Sequence, residues 1–166
     1  KLPLRVVQRI PDQRDELLAE AVAYRSDLEK IALVEAQSTR EYLRPVMLIQ
    51  APFVHDCEPL REQLVERHGI PKEQIVISTG AIEELGKIKD FAKPTCPVRF
   101  ILTVEKLREG WDCPFAYVLC SLKVTRSATA IEQIVGRILR LPGATPKMHA
   151  ELNQGYVFSV SEAPSL

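Results

Sequence analysis

Val46-Met47-Leu48-Ile49-Gln50 is four apolar residues closed by one amide. A run that short, apolar at consecutive positions, is the signature of a strand buried on both faces of a parallel sheet. Downstream, helix-like sequence covers Asp56–His68 and stops at Gly69, and a second apolar run follows at Ile75–Ser78. The spacing predicts a helix over Ala81–Phe91, strands at Val98–Leu102 and Ala116–Leu122, a helix over Ala128–Leu141 and a last strand at Gly155–Val160. Strands alternating with helices imply an α/β fold: a parallel sheet with helices on both faces. Upstream, Lys1–Ile10 reads as an entering strand. Pro11-Asp12 opens a long helix with Asp12 as its N-cap, and Leu17, Ala21, Tyr24, Leu28, Ile31 and Ala32 mark its apolar face. That pattern runs to about Tyr42 before Pro45 stops it, with a break expected near Gln37-Ser38-Thr39 or else packing across a neighbouring domain. Two units are expected: residues 1–44, a strand and long helix, and residues 45–166, the alternating α/β lobe.

The 166 residues are 46% hydrophobic and 27% charged, with 22 basic and 22 acidic side chains. This composition excludes a disordered tail, a collagen-like fibre and a membrane-spanning protein, and the zero net charge disfavours a broadly basic nucleic-acid glove. The charge is nevertheless uneven, with an acidic excess in residues 1–83 and a basic excess in residues 84–166. Lys123, Arg126, Arg137, Arg140 and Lys147 face only Glu132 within 123–147, so an anion site is expected there. The chain opens on Lys1 and carries no signal-like apolar run, which predicts a piece of a longer, cytoplasmic protein. Cys57, Cys96, Cys113 and Cys120 form no C-x-x-C pair, and His55 near Cys57 has no second pair to complete a site. Free thiols and no metal site are expected.

Two segments carry chemistry. On a helix at about 100° per residue, Ile131, Ile134, Val135, Ile138, Leu139 and Leu141 share an apolar sector, while Gln133, Arg137 and Arg140 gather on the opposite side. A guanidinium is planar, always charged and forks to two oxygens, so two of them on one stripe suit a polyphosphate. Gly136, lacking a side chain, lets another surface approach that stripe closely. The other segment, Leu107-Arg108-Glu109-Gly110-Trp111-Asp112-Cys113-Pro114, follows one strand and precedes another. Ligands of open parallel sheets sit beyond the carboxyl ends of strands, where Gly110 permits a tight turn and Asp112 points from the loop. Thr103 stands at the end of the preceding strand.

In this order, Arg-Glu-Gly-Trp-Asp and Gln133-Ile134-Val135-Gly136-Arg137-Ile138-Leu139-Arg140 resemble motifs V and VI of superfamily 2 helicases. The Glu109-Gly110-Trp111-Asp112 string with Pro114 looks most like the helicase-type subunit of type III restriction endonucleases, and Arg44–Ala51 is similar to that family's motif IV strand. The resemblance spans about residues 45–160. It implies the second RecA-like lobe of a two-lobed, ATP-driven motor on DNA. It also implies a first lobe that supplies the phosphate loop and the magnesium carboxylates, so that ATP and Mg2+ are bound mainly outside this chain. Carried over, Arg137 and Arg140 are arginine fingers on the γ-phosphoryl group. Gln133 contacts that group or the attacking water, Gly110 and Asp112 lie at the lobe interface, and Thr103 touches the nucleic-acid backbone. A DNA-methyltransferase (modification) subunit is a further partner of that family.

No G-x-x-x-x-G-K-[ST] phosphate loop is present. Gly80–Lys87 has five residues between its glycines and Ile88 where a magnesium-binding hydroxyl belongs. No D-E-A-D-like acidic pair occurs either, so this chain alone is expected to lack ATPase activity. Two other readings stay open: a non-catalytic nucleic-acid- or protein-binding α/β module, and a different superfamily 2 motor such as an RNA helicase or repair translocase.

Overall fold

A computed structural model describes residues 3–105, 113–125, 135, 139 and 145–162. Six strands, β1 (Leu4–Arg9), β2 (Val46–Gln50), β3 (Ile75–Ile77), β4 (Phe100–Thr103), β5 (Ala116–Thr125) and β6 (Gly155–Ser161), form one sheet in the order β1-β6-β5-β2-β4-β3. Every pairing is parallel. With the long helix α1 (Arg14–Thr39) and α2 (Cys57–His68), this is an α/β fold of RecA-like character. The chain leaves β2 towards one edge and leaves β5, its sheet neighbour, towards the other. That reversal opens a crevice at the carboxyl ends of the central strands.

The sheet separates two apolar layers. Met47, Ile49, Leu102, Val118, Cys120 and Phe158 face α1 and α2. Leu48, Ile101, Leu119 and Val157 face the other way, where Val135 and Leu139 are buried against them. The Leu139 N–H donates to the Val135 carbonyl at 2.8 Å, the i to i−4 bond of one helical turn. The rest of the expected helix over Ala128–Leu141 lies outside the described residues.

Helix α1 buries Leu17, Ala21, Leu28 and Ala32 as its spacing predicts, with Tyr24 and Ile31 half-buried, and packs mainly on β5 and β6. Its start differs from expectation. Pro11–Gln13 form a single 3-10 turn and the α-helix begins at Arg14, with no side-chain cap from Asp12 or Gln13. Its end falls at the expected break rather than at Tyr42. Arg40 turns left-handed (φ 59°) and its N–H closes on the Ala36 carbonyl at 2.8 Å. Four residues later the chain must bury Arg44, which Pro45 holds out of the helical region.

The helix expected over Ala81–Phe91 does not form. Ser78 and Glu83 make an antiparallel bridge, and only Leu85–Lys87 turn as a 3-10 helix. Local side chains capture the backbone that a helix would have used. The Thr79 hydroxyl accepts the N–H groups of Ala81 and Ile82, Glu83 accepts the Gly86 N–H, and Glu84 accepts the Ile77 N–H together with the Arg61 guanidinium.

Candidate functional site

The carboxyl end of the sheet is unlike the rest of its interior. Each strand follows two apolar residues with a polar one, and the register sets these polar residues side by side on one face. Gln8 lies opposite Ser159, Ser159 opposite Ser121, Ser121 opposite Gln50, and Gln50 opposite Thr103. Ser78 continues the row, one residue beyond the Ile77–Leu102 pair. The row lies on the face of Leu48 and Ile101, the side on which Val135 and Leu139 pack.

Hydrogen bonding divides this row. The Gln50 amide donates to the Val104 carbonyl at 3.0 Å and accepts the Ser121 hydroxyl at 2.6 Å, tying the end of β2 to both neighbours. The hydroxyls of Thr103 and Ser159 are buried with no hydrogen-bond partner among the described residues. Leaving a buried hydroxyl unpaired costs on the order of 1–3 kcal/mol.

The segments leaving β2, β3 and β4 and the end of strand β5 wall a cleft of about 490 Å³ at the carboxyl end of the sheet. Phe53 comes from the first, Thr79 and Gly80 from the second, Val104 and Glu105 from the third and Lys123 from the fourth. Phe53 also borders a second cleft of about 520 Å³, between the N-terminal ends of α1 and α2, with Arg14, His55 and Gln63. Arg14 is fixed there by donating to the Leu122 carbonyl at 3.0 Å. The Phe53–Asp56 turn is braced in both directions. The Phe53 N–H donates to the Asp56 carboxylate at 3.0 Å, and the Asp56 N–H donates to the Phe53 carbonyl at 3.0 Å.

Beside the clefts, Arg61 is bound to Glu58 and Glu84, each at 2.6 Å. Burial alone would raise the Glu84 carboxyl, but the hydrogen bonds from Arg61 and Ile77 and the charge of Arg61 outweigh it, so its pKa lies below the ordinary carboxylate value. This is a structural knot rather than a general base. The cysteines offer no nucleophile: all four are free and buried, and burial pushes the thiols of Cys57 and Cys120 up. Among the described residues no group of three His, Cys, Asp or Glu side chains could hold a metal ion. No described helix is long and apolar enough to cross a membrane.

Of the residues singled out from sequence, Thr103 ends β4 inside this row, fully buried. Gly110, Asp112, Gln133, Gly136, Arg137 and Arg140 lie outside the described residues. Sequence reading missed Gln50, Ser121, Ser159 and Phe53. The first three were discoverable from the repeat of two apolar residues and one polar one at Leu48–Gln50, Ile101–Thr103, Leu119–Ser121 and Val157–Ser159.

Comparison with known proteins adds a partial likeness. Over 46 residues the chain is 50% identical to the Res subunit of the type III restriction-modification enzyme EcoPI from Escherichia phage P1. It is equally similar to the Res subunit of EcoP15I from Escherichia coli. Part of this chain is similar to a type III Res subunit. The stretch covers 28% of this chain and only 5% of each relative. No family model matches the chain.

Proposed function

We propose that the chain is the second RecA-like lobe of an ATP-dependent DNA helicase or translocase of the type III restriction kind. The half-identical 46-residue stretch shared with two Res subunits carries this reading. The parallel sheet with an open carboxyl edge and an unpartnered Thr103 hydroxyl supports it. In this proposal ATP lies between this lobe and a first lobe that holds the phosphate loop and Mg2+, and it supplies the γ-phosphoryl group whose transfer drives lobe movement. Arg137 and Arg140 neutralise charge on that group, Gln133 orients it or the water, and Gly136 admits the facing surface. Gly110 and Asp112 couple the lobe interface to DNA grip, and Thr103 donates to a backbone phosphate. The partners are DNA, the first lobe and a modification methyltransferase, and the setting is the cytoplasm.

The test uses a protein that joins this chain to its phosphate-loop lobe. Arg137→Ala or Arg140→Ala should lower DNA-stimulated ATP turnover by roughly 10³-fold or more, as loss of an arginine finger does. The 166-residue chain alone should turn over no ATP. Wild-type turnover in either variant removes the arginines from the mechanism.

One observation favours a second reading, a nucleic-acid-binding module without catalysis: the cleft over the central strands, with Phe53 and Lys123 in its lining, is built by this chain's own residues. Salt-sensitive DNA binding by the chain, together with undiminished turnover in both arginine variants, would select it.

A further inference from the structure

We infer that Phe53, backed by His55, is a stacking platform for an unpaired base of a DNA strand crossing the carboxyl edge of the sheet. The inference rests on the nucleic-acid reading above and adds what that reading lacks, a contact to the base rather than to the backbone.

The Phe53 side chain breaks the pattern of its surroundings. It follows a strand whose apolar residues are all buried, yet Phe53 itself is 62% exposed. An exposed phenyl ring forfeits the stabilisation that burial of such a side chain contributes. The ring is nonetheless held in place. The braced turn to Asp56 fixes its backbone, and the His55 ring lies parallel to it at 8° with centroids 5.3 Å apart. His55 borders the cleft at the helix ends but not the one over the central strands, whereas Phe53 borders both. The phenyl ring is therefore a partition, stacked towards one cleft and available to the other.

The 490 Å³ cleft over the central strands offers what the rest of a nucleotide requires. Lys123 lines it together with Phe53 and makes no ion pair among the described residues, so its ammonium is available to a phosphate. A flat aromatic surface and a cation on one cleft match a single-stranded nucleotide: the base on the ring, the backbone phosphate on the ammonium. Duplex DNA keeps its bases stacked on one another and cannot use the ring. A single strand can, whatever its sequence, because every base has a π-face.

The test compares three forms of the 166-residue chain, wild type, Phe53→Leu and Phe53→Tyr, on two oligonucleotides of equal length. One is a single-stranded oligothymidylate; the other has abasic sites in place of its bases. Stacking predicts that Phe53→Leu weakens binding to oligothymidylate by about 5- to 100-fold, that Phe53→Tyr restores it, and that neither change alters binding to the abasic strand. A 2-aminopurine base in the strand should lose fluorescence on binding wild type and keep it on binding Phe53→Leu. Equal loss on both strands, or no loss on either, overturns the platform while leaving the nucleic-acid reading standing. If wild type binds neither strand, both fall. If free ATP or adenosine displaces the 2-aminopurine strand in a manner that depends on Phe53, the ring serves a nucleotide pocket and the strand assignment is wrong. Because the ring is exposed, circular dichroism of Phe53→Leu should match wild type; if it does not, Phe53→Tyr on the two strands still decides.

Discussion

The two ends of the sheet are built on opposite terms. At the amino end, charge is buried and largely answered, although the Arg25 Nε finds no partner among the described residues. Arg44, 1% exposed, donates to the carbonyls of Val98 (2.7 Å), Lys93 (3.2 Å) and Phe91 (2.5 Å) and to the Tyr42 hydroxyl (2.9 Å). The rings of Tyr42, Phe91 and Phe115 surround its guanidinium. Nearby, Arg25 reaches the Pro45 carbonyl and Glu29, and Glu29 also receives Arg99. At the carboxyl end the groups are smaller and uncharged, and two of their hydroxyls are left open. The amino end spends its polar groups on holding the chain together. The carboxyl end leaves two hydroxyls without a partner among the described residues.

Removing the best-answered group should have the largest effect. Arg44→Ala strands three buried carbonyls and opens a cavity among the aromatic rings. It should cost about 3–5 kcal/mol in urea denaturation. A loss below about 1 kcal/mol would mean that the amino end is not the stabilising one.

The pH dependence comes next. Burial raises the Glu35 carboxyl, but hydrogen bonds from the His149 ring and backbone N–H, with the charge of His149, lower it more, so its pKa lies below the ordinary value. Glu29 is lowered in the same way, with Arg25 and Arg99 outweighing burial. A carboxyl depressed by folding contributes stability above its unfolded pKa and loses it as the pH falls through the folded one. Stability should therefore decline from about pH 4.5 downward. Glu35→Gln should lower stability at pH 7 and flatten that decline in thermal unfolding followed from pH 7 to 3. An unchanged acid slope would remove Glu35 from the account.

The smallest effects test the polar row itself. Ser121→Ala loses its bond to Gln50 and should destabilise by about 1 kcal/mol. Thr103→Val keeps the shape and removes a hydroxyl that bonds nothing, so stability should hold or rise slightly while affinity for single-stranded DNA falls. If Thr103→Val destabilised as much as Ser121→Ala, the contrast within the row would be lost.

Much of the framework was legible in the residues. Val46–Gln50 was read to its end, and Gly69, left-handed at φ 65°, stops α2 where its spacing predicts. These signals are local, since a short apolar run or a residue that tolerates positive φ carries its meaning within a few positions. The segment Ala81–Phe91 was misread because its helical spacing competes with Thr79, Glu83 and Glu84, whose side chains take the same backbone groups. The burial of Arg25 and Arg44 was invisible because charged residues are ordinarily placed outside, and only packing reveals the carbonyls that receive them.

Sequence alone established the order of the strands and the parallel α/β class, because hydrophobic period and turn chemistry act over short stretches. Only the tertiary structure decided that six separate polar residues stand in one row, that two of their hydroxyls go unanswered and that Phe53 is left between two clefts. Register between strands distant in the chain sets those neighbours, and no local pattern encodes which strand lies beside which.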